Sequence, residues 1–137
     1  MNIFKMNSLP IIFIVFLIFI FSGCRTKNLI SPVTFPIPSS LQNESIAKAI
    51  KEAAINRKWF PYEEKEGVIY LSLEVRTHIV KVDIEYGDGQ IKIVYRDSEN
   101  MLYEEKDDGT ILIHKKYNDW IKNLRIDIQL NLVSIDQ

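Results

Sequence analysis

The chain has 137 residues, with 17 Lys and Arg against 18 Asp and Glu, for a formal net charge of -1. That length suits one small domain, and the near-zero net charge, with acids and bases well mixed, gives no sign of the basic patch that nucleic-acid binding would show. A single cysteine, Cys24, excludes any intramolecular disulfide.

The first residues read as a leader, expected to stand apart from the fold. Lys5 supplies a positive charge, and an apolar run follows from Leu9 to Phe21, broken only by Pro10. A transmembrane helix needs ~20 apolar residues, so this run has the length of a signal-peptide core. It ends in Phe21-Ser22-Gly23-Cys24. Small residues before a cysteine let a peptidase seat the backbone, after which the thiol can take a diacylglyceryl group. The run resembles the lipobox of bacterial lipoproteins, with Phe21 where Leu is usual. The expected organisation is a signal peptide over 1–23, a lipidated N-terminus and proline-rich tether over 24–42, and one domain over 43–137. Lipid on Cys24 would make the membrane the first partner, since two acyl chains suffice for stable attachment. An envelope protein is the second expected partner, and nucleic acid is not expected. The tether holds Pro32, Pro36 and Pro38 and, fully extended, would reach ~50 Å. Its apolar residues Leu29, Ile30, Val33, Phe35 and Ile37 leave open that part of it lies along the domain.

From Asn43 to Arg57, Ile46, Ala47, Ile50, Ala53 and Ala54 recur at helical spacing, with Asn43 or Ser45 as cap. Four runs of period-two alternation follow. Phe60 and Tyr62 mark the first; Ile69, Leu71, Leu73 and Val75 the second; Val80, Val82, Ile84 and Tyr86 the third; Ile91, Ile93 and Tyr95 the fourth. Turns at Glu66-Gly67, Thr77-His78 and Asp88-Gly89 give a register in which Leu73 meets Val82, Ile84 meets Ile93, and Phe60 meets Leu73. On the other face Glu74 opposes Lys81 and Glu85 opposes Lys92. Asp97 to Gly109 reads as a polar loop, and Ile111 to Ile113 as a fifth strand or a helix entry. Tyr117, Trp120, Ile121, Leu124, Ile128 and Leu132 mark a last amphipathic helix. The predicted fold class is α+β: a two-layer sandwich of helix, four-stranded antiparallel meander and helix, both helices on one sheet face.

No motif specifies a reaction. His78 and His114 lack metal-ligand spacing, and neither metal nor cofactor is expected. Ser98 has no nucleophile elbow around it, and Asp97, Ser98 and Asn100 are turn formers. Asp107-Asp108-Gly109-Thr110 lacks the alternating oxygens of an EF-hand loop. Arg76-Thr77-His78, Asp97-Ser98-Glu99-Asn100, and Ile113-His114 with Tyr117-Asn118 and Trp120 together resemble a group of small, uncharacterised bacterial lipoproteins. The resemblance implies an envelope lipoprotein of this size and supplies no activity. The candidate polar cluster is therefore Arg76, His78, Asp97, Ser98, Asn100, His114, Tyr117 and Asn118. The first expectation is a non-catalytic binding or assembly module in the envelope, at the outer membrane where one exists, because Arg25 rather than Asp follows the cysteine. The alternative is a small-ligand binder or hydrolase using His78, Asp97 and His114.

Overall fold

A computed structural model describes residues 24–137; the signal peptide expected over 1–23 lies outside them. In chain order the elements are β1 (Thr26–Asn28), β2 (Val33–Pro36), α1 (Asn43–Asn56), β3 (Trp59–Lys65), β4 (Val68–Val75), β5 (His78–Gly87), β6 (Gln90–Glu99), β7 (Glu104–Glu105), β8 (Ile111–His114) and α2 (Lys116–Ile135). The strands make two antiparallel sheets, one ordered β1-β8-β7 and one ordered β2-β6-β5-β4-β3.

This overturns the expected four-stranded meander between two helices. The residues read as a tether supply a strand to each sheet. Phe35 and Ile37 are buried, and Val33 and Phe35 pair with Ile93 and Ile91 along the free side of β6. Burying those apolar side chains outweighs leaving the segment extended in water. The polar stretch after β6 also carries strand. β6 runs on to Glu99, and β7 pairs with β8.

Core burial follows the alternation. Ile69, Leu71, Val80, Val82, Ile84, Ile91 and Ile93 are fully buried on one face of the larger sheet. Over them lie α1, through Ile46, Ile50, Ala53 and Ala54, and α2, through Tyr117, Ile121, Leu124, Ile128 and Leu132, all in one core. Arg57 ties the helices together by a forked pair to Asp127, with Nη2 to Oδ1 at 2.9 Å. Asn131 adds a bond to the Ala49 carbonyl at 3.1 Å. Neither Asn43 nor Ser45 caps α1; Gln42 occupies the cap without a side-chain bond.

Register differs at two hairpins and matches at one. Asp88 and Gly89 both adopt positive φ, and Ile84 meets Ile93 and Glu85 meets Lys92. Between β4 and β5 the loop is Arg76-Thr77 rather than Thr77-His78. Val75 pairs with His78 and Leu73 with Val80. That is a two-residue slide, so the faces are preserved while Ser72, not Glu74, opposes Lys81. In β3 the Glu66-Gly67 turn holds, with Lys65 opposite Val68 and Glu63 opposite Tyr70, but further from the turn the pairing changes by one residue and inverts the face. Trp59 pairs with Leu73 and is 2% exposed, whereas Phe60 is 67% exposed and Tyr62 40%. A bulge between Pro61 and Glu63, where proline has no N–H for the ladder, accompanies the change.

The face assignment of β3 is open to test by urea unfolding. Trp59→Ala should cost ~3–5 kcal/mol as a large buried side chain is deleted. Phe60→Ser should stay within about 0.5 kcal/mol of the parent.

Candidate functional site

Strand ends bring part of the polar cluster together at one corner of the domain. β5 begins at His78, β6 ends at Glu99, and β8 ends at His114, immediately before α2. The rings of His78 and His114 lie 5.2 Å apart between centroids, and Trp120 lies 6.4 Å from His78. Two backbone features hold them there. Asn100, at positive φ, presents its carbonyl to His78 Nδ1 at 2.6 Å and donates from Nδ2 to Thr77 Oγ1 at 2.6 Å. The His114 N–H donates to the Met101 carbonyl at 2.7 Å.

These contacts fix the proton on each ring. A carbonyl only accepts, so His78 donates to it from Nδ1. His114 Nδ1 accepts from the Lys116 N–H at 3.2 Å, so its proton sits on Nε2. His114 thus satisfies an otherwise orphaned amide at the start of α2, whose cap residue Lys115 makes no side-chain cap bond. Partial burial holds the His114 pKa below its ordinary value, helped by the positive charges of His78, Lys115, Lys116 and Arg25.

The remaining members go elsewhere. Arg76 is exposed in the β4–β5 turn at positive φ. Asp97, expected in a turn, lies within β6, where it faces Lys81 across the ladder and accepts the N–H of its neighbour Ser98 at 2.8 Å. The Ser98 hydroxyl is bonded to the Tyr95 hydroxyl at 2.8 Å, a phenol rather than a histidine. Tyr117 is fully buried, edge-on to Tyr95 at 5.6 Å. Its hydroxyl is the one buried side-chain polar atom without a partner among the described residues, and burial pushes its pKa well up. Asn118 is engaged with the N-terminal segment. It donates to the Asn28 carbonyl at 2.9 Å and accepts from the Ile30 N–H at 3.2 Å, clamping the N-terminal segment to α2. Among the described residues no group of three or more His, Cys, Asp or Glu side chains is placed to hold a metal.

Two features had no sequence signal. Ser31 Oγ accepts the Tyr95 N–H at 2.8 Å, so the segment between β1 and β2 is stitched to β6 as well as to α2. The open face of the larger sheet carries a layer of rings and cations. Arg96 lies 4.6 Å over the Tyr70 ring and is paired with Asp83, and Tyr62 stands 6.2 Å from Tyr70 with Lys81 5.9 Å from its centroid. Such contacts contribute ~0.5–1 kcal/mol each at exposed sites.

Comparison of the chain with family models, with curated proteins and with solved structures finds no match.

Two expectations follow from the geometry. Tyr117→Phe removes an unsatisfied buried hydroxyl, so its melting temperature should equal or exceed the parent's. For His114 the sign follows from its lowered folded pKa. The unfolded chain binds the proton more readily, so stability is full above the unfolded value of about 6.5 and declines as pH falls towards the folded value. Thermal melts between neutral and mildly acidic pH should show this decline in the parent and a smaller one in His114→Gln.

Proposed function

We propose that the protein is a lipoprotein of the bacterial envelope, held by a diacylglyceryl group on Cys24, and that its domain is a non-catalytic binding or assembly module. One observation carries the reading: the sole cysteine of the chain is exposed and stands two residues before β1. A thiol in that position is open to an acyltransferase without disturbing the core. An unmodified, exposed thiol has no packing role to explain it. The lipobox-like run before it, and the lipoproteins that the chain resembles, point the same way. Arg25 in place of Asp favours the outer membrane in an organism that has one.

A binding role agrees with the surface. The ring-and-cation face built from Tyr62, Tyr70, Lys81 and Arg96 offers stacking and hydrogen-bonding groups already ordered by the Arg96–Asp83 pair. A partner meeting it would lose little side-chain freedom. The hydrolase alternative asks for a nucleophile beside a histidine. The bonding of Ser98 to Tyr95 and of Asp97 to its own neighbour gives it no support.

Mass spectrometry of the N-terminal peptide from the full chain, expressed in a bacterium, tests the anchor. The expected result is cleavage before Cys24 with an acylated N-terminus, and loss of that modification in Cys24→Ser with release from the detergent phase. An unmodified thiol on an uncleaved chain would overturn the proposal.

A further inference from the structure

The corner that carries Cys24 also gathers cations. The Arg25 carbonyl accepts the Lys115 N–H at 2.9 Å, and Thr26 pairs with His114. The start of the domain, the end of β8 and the first turn of α2 therefore meet. Arg25, Lys115 and Lys116 are all exposed there, and all three act on the same His114 ring. Arg76 is exposed in the adjoining turn. The acids nearby are Glu74 and Glu99, which flank Ile79 across the two ladders of β5, and Asp119 in the first turn of α2. Both glutamates belong to the larger sheet, whereas Arg25 leads into β1 of the smaller one. Trp120, half-buried against His78, stands one turn into α2.

We propose that Arg25, Lys115 and Lys116, with Trp120 beside them, form a docking surface for anionic phospholipid headgroups that seats the domain directly on the bilayer. This rests on the reading of Cys24 as the lipid-bearing residue. Position selects lipid as the partner. Two residues of chain span at most ~7 Å, while charge is screened over ~8 Å at physiological ionic strength. A bilayer holding the acyl chains of Cys24 is thus within reach of these cations, and the strand pairing of Thr26 leaves no slack to move them away. An indole with an apolar body and a polar N–H suits the headgroup level. Each cation near an anionic leaflet strengthens attachment about fivefold.

The test uses the full chain in nanodiscs of phosphatidylcholine alone, or of phosphatidylcholine with phosphatidylglycerol, both with brominated acyl chains that quench tryptophan on contact. Trp59 is buried, so quenching reports Trp120. Quenching should be strong with phosphatidylglycerol, weak without it, and reduced several-fold by high salt and by the double substitution Lys115→Glu, Lys116→Glu. A milder pair, Lys115→Gln with Lys116→Gln, guards against misfolding and should give an intermediate loss. Equal quenching in both lipids, or none in protein shown by mass spectrometry to be acylated, would overturn the docking surface while leaving the anchor intact. Unacylated protein would instead overturn the anchor. Co-sedimentation of that protein with vesicles of the same two compositions then decides the surface. Lysine-dependent binding to phosphatidylglycerol supports it, and its absence rejects it.

Discussion

Everything in this domain depends on covering one apolar sheet face. Alternation along β4, β5 and β6 sends Ile69, Leu71, Val80, Val82, Ile84, Ile91 and Ile93 to the same side, where they are fully buried. At roughly 25 cal/mol per Å² of apolar area removed from water, this is the largest favourable contribution available to a chain of this size. The helices follow from it. α1 meets the sheet through alanines, Ala53 and Ala54, which allow close approach, and α2 completes the cover with longer side chains. The opposite face has no such demand on it and keeps a wet layer of rings, cations and carboxylates.

The second constraint is the N-terminal segment, which acts as a strap. It pairs with β8, is pinned to α2 by Asn118 and to β6 by Ser31, and ends as the outermost strand of the larger sheet. It therefore joins the two sheets and ties the residue next to Cys24 to the histidine corner. A domain built this way holds Cys24 at a fixed place relative to the histidine corner.

What could be read in advance tracks how local the cause is. The β5–β6 register was legible because Asp88-Gly89 announces its own turn geometry. The β4–β5 turn was not, since nothing in an arginine advertises the positive φ of Arg76. In β3, Trp59, Phe60 and Tyr62 are all large and aromatic, so alternation has two readings and only burial decides between them. The strap is half legible: its apolar residues allow it to lie along the domain, but its strands are short and proline-flanked, and its pairing is set by distant partners such as Ile93 and Ile113. Of the candidate cluster, His78, Asn100 and His114 do meet. Asp97, Ser98, Tyr117 and Asn118 each had a local or buried duty that residue type alone does not reveal.

The two outer strands of the larger sheet, β2 and β3, both contain proline: Pro36 in one, Pro61 with its bulge in the other. A ring in place of an N–H interrupts the row of donors that another chain would need to extend the sheet, and the charges of Glu63, Glu64 and Lys65 guard the rest of β3. Growth by strand addition, the commonest route from an open sheet to a filament, is thereby discouraged on both sides. Copies that crowd together are kept from joining through the edges of the larger sheet, and association is steered elsewhere on the domain.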